Sequence, residues 1–354
     1  MRLAARNIGA MKAVSICVGP FLLAALLQSS PTQAAAGQDF KKSLESLKKI
    51  DDFPLYVMRF AGDYAFKEQL KKGERPDAHI RRALPKRLSA WACSCFSISN
   101  GKGRAIFGRN FDWFEHPALL LFTAPSEGYA SVSMVDISYL GYDRGDLFKK
   151  DLSRLQETPF FPFDGMNEHG LAVGMMAIPR AEGGRDPGKM TIDDLQAIRL
   201  MLDYAKDVKE AATLLGGYNV SFGSGPPVHY FVADAAGDSA VIEFINDKMQ
   251  VLRNKRPFQV ATNFVLFPSP PQNSQTSCWR YNKIYETLIH AQNGFSPAEA
   301  MSLLKNVHQS GTNTPTIWSM VYDLAAKNIH VAMGRNYGRV HRLSLRGINE
   351  PELN

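Results

Sequence analysis

A cysteine-containing hairpin constrains this chain most strongly. Two β-rich runs, Cys93 to Ser99 and Arg104 to Phe111, are joined by Asn-Gly-Lys-Gly, which is typical of a β-hairpin turn. Arg109 and Asp112 follow Cys93 by 16 and 19 residues. In a paired hairpin these positions lie beside the start of the first strand. The pattern therefore predicts that a thiol, a guanidinium and a carboxylate lie close together.

Such a trio suits nucleophilic attack on an amide carbonyl. The thiol must be partly ionised, and a proton donor must serve the leaving amine. A histidine usually does this, but the α-amine of an N-terminal cysteine can act as the base, since its reference pKa is roughly 7.7–8. This requires a cut between Ala92 and Cys93, with Arg109 stabilising the thiolate and Asp112 positioning the amine. The alternatives are Cys95 as the nucleophile, Cys93 as a structural thiol, and a plain Arg109–Asp112 salt bridge.

The N-terminus reads as an export signal. Basic Arg2, Arg6 and Lys12 precede an apolar stretch from Ala13 to Leu27, and three alanines at 34–36 offer a cleavage site. The stretch is too short and too interrupted by Gly and Pro to span a bilayer comfortably, so an uncleaved anchor is the weaker alternative. We predict a signal peptide over residues 1–36 and an exported bacterial protein, periplasmic or secreted, with no membrane span in its mature form.

Charge and cysteine content restrict the function further. The net charge is +7 over 354 residues, but no dense basic run with interleaved aromatic residues indicates nucleic-acid binding. Without Cys17 of the signal segment, three cysteines remain, which implies at least one free thiol or an intermolecular bridge. Cys278 is either a redox partner or a core residue. No His or Cys spacing reads as a zinc site, and no metal or organic cofactor is predicted.

The segment before the hairpin differs in texture from the rest. Apolar residues recur at mixed spacings of three and four over residues 40–90, with many Lys and Glu between them, which predicts helices. We interpret residues 37–92 as a helical pro-segment, which becomes an α chain if it stays docked after cleavage. Residues 93–354 form one catalytic domain.

The catalytic domain alternates strands with two long helices. A helix is predicted from Thr191, with Asp194 three residues on, towards Leu215, and another from the capping box at Ser296 through Val307. The run Pro117–Thr123 is expected to be strand core rather than an acyl pocket. This pattern predicts an α+β fold with helices packed on antiparallel sheets. The remaining predicted strands are Ser131–Ile137, Leu171–Ile178, Val228–Ala233, Ala240–Phe244, Gln250–Arg253, Phe258–Thr262, Ile317–Tyr322, Ile329–Met333 and Val340–Leu345.

Five sequence blocks follow one another between about residues 93 and 345. They are Cys93-Ser94 with Gly108-Arg109-Asn110-Phe111-Asp112-Trp113, Gly165 to Leu171, His229 to Asp234 with Gly237 and Glu243, Thr262-Asn263, and Cys278-Trp279-Arg280-Tyr281. In this order they resemble the choloylglycine hydrolase and penicillin V acylase family of N-terminal-nucleophile amide hydrolases. N-acylethanolamine acid amidase and acid ceramidase are similar over the first block.

The resemblance implies a four-layer αββα sandwich of antiparallel sheets and a set of site residues. Cys93 would be the nucleophile and, once freed, the base, with Arg109 and Asp112 flanking it. Asn263 would donate to the tetrahedral oxyanion, and Arg280 would complete the charge network. The second oxyanion donor would be a backbone N–H near Ala177, which stands where bile salt hydrolases often have Asn. His116, His169 and His229 are weaker candidates for an acid or base.

The expected function is an exported, self-cleaving cysteine amidase of linear amides. Its small-molecule substrates would be conjugated bile acids, penicillin V, N-acyl amino acids or acyl-homoserine lactones. Acyl transfer on the same fold and a catalytically silent binding protein are the alternatives. The interval between Asn263 and Arg280 is shorter than in bile salt hydrolases, which carry a tetramer-assembly insertion there, so homo-oligomerisation is left open. The long segment before Cys93 is more like that of the acid amidases, whose two chains stay together.

Overall fold

A computed structural model describes residues 31–72, 92–100, 103–223, 225–291 and 295–346. Most of the predicted signal peptide, residues 73–91 of the predicted pro-segment and the tip of the hairpin that begins at Cys93 lie outside these ranges. The side chains of residues 31–36, 72 and 92 are also outside the description.

Six α-helices are found in the described part of the chain. They are α1 (Pro31–Glu45), α2 (Phe66–Lys72), α3 (Asp194–Tyr204), α4 (Val208–Leu215), α5 (Trp279–Ile289) and α6 (Pro297–Asn306). Three 3-10 helices, Ile137–Leu140, Leu147–Lys149 and Ser153–Phe160, connect two of the strands.

The described ranges hold seventeen strands, most of them within one to two residues of a predicted strand. They are β1 (Lys48–Asp51), β2 (Leu55–Phe60), β3 (Ala92–Ser99), β4 (Ala105–Asp112), β5 (Ala118–Thr123), β6 (Ser131–Asp136), β7 (Pro162–Asn167), β8 (Ala172–Ala177), β9 (Thr191–Asp193), β10 (Asn219–Ser221), β11 (Val228–Ala233), β12 (Ser239–Ile245), β13 (Lys248–Arg253), β14 (Phe258–Ala261), β15 (Thr316–Asp323), β16 (Asn328–Met333) and β17 (Val340–Ser344). The strands β1, β2, β7, β9 and β10 were not predicted.

Fifteen of these strands form two large sheets that face each other, and β9 and β10 pair in parallel as a separate two-stranded sheet. The first has the order β14-β3-β4-β15-β16-β17, and the second has the order β1-β2-β5-β6-β7-β8-β11-β12-β13. Strand β3 of the first sheet contacts β8 and β11 of the second. Helices α5 and α6 pack on the first sheet, and α3 and α4 pack on the second. This confirms the predicted α+β class and the αββα layering.

The central strands are rich in apolar residues because both of their faces are buried. Every residue of β4, β5, β8, β11 and β12 is buried, because each strand has a helix layer or loops on one side and the other sheet on the opposite side. The sequences of β5, β8, β11 and β12 are therefore mostly apolar, whereas the buried strand β4 also carries Arg109, Asn110 and Asp112. The edge strand β13 has only exposed and half-buried positions. Pro117–Thr123 is the buried strand that the sequence predicted.

The N-terminal segment departs from its predicted helical structure. Residues 48–51 and 55–60 are strands, and β2 pairs in parallel with β5 over six positions. The prediction of helices throughout residues 40–90 is therefore wrong at β1 and β2, and the sheet is not purely antiparallel. Leu55 and Met58 are completely buried. The mixed three- and four-residue spacing of the apolar residues is compatible with a helix. The segment is nevertheless extended, because pairing with β5 buries these apolar side chains.

One predicted helix begins later and is divided. Asp193, rather than Thr191, caps α3, and its side chain accepts from the backbone N–H of Gln196 while the Gln196 side chain bonds back to the cap. The helix ends at Tyr204, and a second cap at Asp207 begins α4. The capping box at Ser296 is confirmed, with Glu299 as its partner.

No helix among the described residues is both long enough and apolar enough to cross a bilayer.

Candidate active site

The hairpin of β3 and β4 brings Cys93 close to the two charged residues that the sequence singled out. Ala92 lies opposite Asp112, Cys93 opposite Phe111, and Cys95 opposite Arg109. Since side chains alternate between the faces of a strand, Arg109 shares a face with Cys93, and Asp112 points to the other face. The predicted cluster is present, with its members on both sides of the strand.

Arg109 points into the space between the two sheets. Its Nη1 donates to the carbonyl of Phe163 at 2.5 Å and lies 3.2 Å from Oδ2 of Asp164. The guanidinium lies 5.0 Å from the Phe111 ring centroid and is completely buried. Its Nε and Nη2 have no hydrogen-bond partner in the described part of the protein. These two groups leave positive charge available near the cysteine thiols.

Asp112 faces the helix layer. Its Oδ1 accepts a 2.5 Å hydrogen bond from the hydroxyl of Thr316, and its Oδ2 lies 3.6 Å from Nη1 of Arg280. Complete burial raises the pKa of this carboxyl to about 7, although Arg280 and Thr316 act to lower it. Asp112 is thus poised to change charge near neutral pH in the uncut chain.

The backbone of Cys93 is held at both of its polar groups. Its N–H donates to Oδ1 of Asn263 at 2.6 Å, and its carbonyl accepts from Nη1 of Arg280 at 2.5 Å. Arg280 also donates from Nη2 to the same Asn263 oxygen, at 3.0 Å. Arg280, at the start of α5, therefore links Cys93, Asn263 and Asp112 in one network.

This network fixes the orientation of the Asn263 amide. Because Oδ1 accepts two hydrogen bonds, Nδ2 turns towards the second sheet, where it donates to the carbonyl of Ala177 at 2.7 Å. Nδ2 carries a second hydrogen. The backbone N–H of Ile178 donates to Pro227 on the β11 side, so strand alternation directs the N–H of Ala177 to the opposite edge of β8. Ala177 and Asn263, the two oxyanion donors that the resemblance implies, are therefore in contact.

An apolar pocket opens beside the thiol. It encloses about 530 Å³ of empty space, including its open mouth. The carboxylate of Asp194 lies in its wall, where it accepts a hydrogen bond from the N–H of Leu195. The lining residues are Cys93, Phe111, Trp113, Tyr139, Phe163, Met175, Ala177, Asp194, Leu195, Gly225, Pro226 and Val228. The mostly apolar lining suits an acyl group chemically.

The described cysteines, Cys93, Cys95 and Cys278, are all free thiols. Burial raises the pKa of Cys93, and the nearby Arg109 opposes this shift. Burial also raises the pKa of Cys95, which is completely enclosed and does not line the pocket. The Sγ of Cys278 accepts a hydrogen bond from the Thr262 hydroxyl at 3.3 Å. Of the three, Cys93 alone meets the pocket.

The three histidines that the sequence offered as candidate acids or bases do not line the pocket beside Cys93. His116 contacts the Pro117 carbonyl and Asp136. His169 is exposed and packs its ring edge-on against Tyr129. His229 is completely buried, where it contacts Glu243 and the carbonyl of Thr262. The described residues also contain no group of three or more His, Cys, Asp or Glu side chains that could hold a metal ion.

Two residues of the network were absent from the sequence interpretation. Asp164 holds Arg109, and Thr316 holds Asp112. Asp164 precedes Gly165 within an otherwise apolar run, and a lone carboxylate in such a run could have been noted as a buried partner. Thr316 comes from β15, more than 200 residues beyond Asp112 in the chain, so its contact could not be read from local sequence.

Comparisons with known proteins agree with this geometry. The model of the linear amide C–N hydrolases, choloylglycine hydrolase family, matches residues 93–282. That is more than half of the chain, and it begins at the cysteine. The chain belongs to the choloylglycine hydrolase family, whose members hydrolyse linear amide C–N bonds.

Solved structures share the fold at low sequence identity. A variant of the conjugated bile acid hydrolase from Clostridium perfringens is 17% identical with a TM-score of 0.56, covering 73% of this chain and 95% of that one. A second variant of it has a TM-score of 0.55 at 16% identity, covering 74% and 95%. Penicillin V acylase from Agrobacterium tumefaciens is 18% identical with a TM-score of 0.53, covering 72% and 87%.

A curated relative covers less of this chain. An uncharacterised protein of Paramecium bursaria Chlorella virus 1 is 31% identical over 121 residues, or 32% of this chain. The match spans 43% of the viral protein's length.

Proposed function

We propose that the chain is an exported, self-cleaving cysteine amidase that hydrolyses small N-acyl compounds with an apolar acyl group. One observation carries the proposal. Cys93 lines an apolar pocket, while its backbone nitrogen is already held by Asn263, 2.6 Å from Oδ1. Cleavage of the bond after Ala92 would turn that nitrogen into a free α-amine on the same residue as the thiol.

The proposed reaction uses each residue of the network. The Cys93 sulfur attacks the amide carbon and forms a C–S bond, while the thiol proton passes to the α-amine. Asn263 Nδ2 and the Ala177 N–H stabilise the oxyanion, a contact worth roughly 3–4 kcal/mol per donor in comparable enzymes. The C–N bond then breaks and the ammonium returns its proton to the leaving amine. Water, activated by the same amine, hydrolyses the thioester.

Arg109 and Arg280 supply the charge for this sequence. Arg109 faces the thiol with unused donors and would favour the thiolate. Arg280 keeps the Asn263 oxygen turned away from the pocket, so the amide presents its nitrogen to the substrate side. Asp112 balances Arg280 across the Cys93 backbone and would hold the new ammonium.

The residues before the cut are proposed to remain bound as an α chain. Strand β2 lies inside the nine-stranded sheet between β1 and β5, and Leu55 and Met58 are completely buried there. Removing this strand would expose β5 and part of the core. Export through the signal over residues 1–36 precedes these events, and purification from a periplasmic or culture fraction with a new N-terminus near Gly37 would test it.

Intact mass of the purified protein tests self-cleavage. The wild type should show a break between Ala92 and Cys93, with both pieces co-eluting on gel filtration. Cys93→Ala should stay uncut and inactive. The matched control Cys95→Ala, two residues on in the same strand, should be cut normally. A full-length, uncut and fully active wild type would overturn the mechanism.

A substrate panel separates hydrolysis from mere binding. Release of glycine or taurine, of phenoxyacetate, and of fatty acid would be followed for bile-acid conjugates, penicillin V and N-acyl amino acids respectively. The apolar pocket favours the acyl part as the anchored group. A cleaved protein that turns over none of the three would favour the binding-protein alternative.

A further inference from the structure

A buried histidine–glutamate pair of the second sheet lies against the segment that carries Asn263. His229 lies in β11 and Glu243 in β12, and both side chains are completely inaccessible to solvent. Nδ1 of His229 lies 2.9 Å from Oε1 of Glu243. Nε2 lies 2.9 Å from the carbonyl oxygen of Thr262, the residue before Asn263. The imidazole therefore connects the second sheet to the segment that carries Asn263.

The contacts define the charge of this pair. A carbonyl oxygen can only accept a hydrogen bond, so Nε2 carries a proton. Glu243 also accepts from the backbone N–H groups of Leu266 and Phe267, at 2.8 and 2.9 Å. Both backbone N–H groups are fixed donors, which favours a carboxylate at Glu243. A carboxylate oxygen 2.9 Å from Nδ1 in turn requires a proton on that nitrogen. The pKa of Glu243 is lowered although burial acts to raise it, because His229 and these N–H groups stabilise the anion.

These bonds hold the chain on both sides of Asn263. Thr262 is fixed by the imidazole, and Leu266 and Phe267 are fixed by the carboxylate. Asn263 lies between these anchors and is itself only half-buried. Its own side chain contacts Cys93, Arg280 and Ala177, and the contacts to Cys93 and Ala177 would change during the reaction. Arg280 holds the side-chain oxygen, whereas the buried pair holds the backbone on both sides of Asn263 from outside the site.

We propose that His229 is a positioning residue: a buried imidazolium, fixed by Glu243, that holds the Thr262 carbonyl and thereby places the Asn263 amide at the oxyanion. This inference rests on the role proposed above for Asn263. His229 touches neither Cys93 nor the pocket and transfers no proton. It acts because oxyanion stabilisation depends on donor placement to within about 0.5 Å.

Two isosteric substitutions separate the two contacts of His229. The amide nitrogen of His229→Asn occupies the place of Nδ1 and keeps the bond to Glu243, but it loses the bond to Thr262. The amide nitrogen of His229→Gln reaches the place of Nε2 and keeps the bond to Thr262. We expect His229→Asn to lower kcat roughly 10- to 100-fold with KM within about twofold. His229→Gln should keep kcat within about fivefold of the wild type.

A structural measurement makes the test independent of turnover. In the Cys93→Ala background, a crystal structure of His229→Asn should show Oδ1 of Asn263 moved beyond hydrogen-bonding distance of the backbone nitrogen of residue 93. The structure of His229→Gln should keep that contact. Denaturant unfolding of both variants checks that they are equally folded.

The outcomes separate this inference from the proposed function. Equal loss of kcat in both variants, or an unmoved Asn263 in His229→Asn, would overturn the positioning role. Nitrogen-15 NMR of labelled histidines, with His229→Gln identifying the resonances, should show both ring nitrogens of His229 protonated at pH 7; a neutral ring would also overturn it. A wild type that turns over no substrate would refute the proposed function, while the crystallographic and NMR results would still decide whether the clamp exists.

Discussion

Two completely buried arginines differ in how fully their donors are used. Arg199 donates from Nε to the Pro159 carbonyl, and from Nη1 and Nη2 to the hydroxyls of Ser131 and Ser133. Its Nη1 also lies 3.1 Å from Asp203. Arg109 is paired with Asp164 in a similar way, yet its Nε and Nη2 have no partner among the described residues.

In each pair, a tyrosine hydroxyl also donates a hydrogen bond to the aspartate. Tyr64 donates its hydroxyl to Asp203, and Tyr322 donates its hydroxyl to Asp164. The pairs are thus built alike, and they differ in the arginine donors left over. A buried donor without a partner costs about 1–3 kcal/mol. Arg109 bears this cost and Arg199 does not. The difference fits the role proposed for Arg109 beside a thiolate and a purely structural role for Arg199.

The largest expected effect is that substitution of Arg109 mainly lowers kcat, whereas substitution of Arg199 mainly lowers the free energy of unfolding. Arg109→Lys should lower kcat by roughly 10²- to 10³-fold, because a point charge held by Asp164 cannot also reach the thiolate. Arg199→Lys should leave kcat within about threefold but lower the free energy of unfolding by about 2–5 kcal/mol, because one ammonium cannot satisfy all its acceptors. Steady-state kinetics and denaturant unfolding measure both, and equal kinetic losses would contradict the comparison.

A pH-dependent effect should come next, at Asp112. Its pKa in the folded, uncut chain is raised from the ordinary 3.8 to about 7. Protonation thus favours the folded state, so the contribution is fully present below pH 3.8 and is lost as pH rises through about 7. On the Cys93→Ala background, the free energy of unfolding should fall by on the order of 1–4 kcal/mol more between pH 4 and 8 than it does with Asp112→Asn added.

Denaturant titrations of these two proteins at several pH values provide the measurement. All other titrating groups are common to both, so the difference isolates Asp112. Parallel curves would show that Asp112 ionises as an exposed carboxyl does, and its proposed role in holding the new ammonium would need to be revised.

The smallest expected effect distinguishes the two tyrosines. Tyr322→Phe and Tyr64→Phe each remove one donor to a buried aspartate and should each lower the free energy of unfolding by about 1–3 kcal/mol. Only Tyr322→Phe should also slow turnover, by roughly two- to fivefold, since Asp164 then holds Arg109 less firmly. A matching kinetic loss in Tyr64→Phe would remove the distinction between the two clusters.

The sequence determined the hairpin of β3 and β4, the α+β class and most of the strands after Cys93. Their signals are local: a Gly-containing turn, β-rich runs of the right length and a capping box at Ser296. The resemblance added Asn263, Arg280 and Ala177, and the structure brings all three to Cys93. Their catalytic roles stay predictions until variants are measured.

Tertiary structure alone decided which residues complete the site and where the N-terminal segment lies. Asp164 and Thr316 reach the site from strands distant in sequence, and no local pattern links them to it. The resemblance named His229 and Glu243, but only the fold connects this pair to the segment that carries Asn263. Strand β2 took a place beside β5 although its spacing suited a helix, because pairing and burial between neighbours outweigh a weak periodic signal. The sequence likewise could not show that Nε and Nη2 of Arg109 lack partners, because this depends on every side chain and carbonyl group around the buried guanidinium.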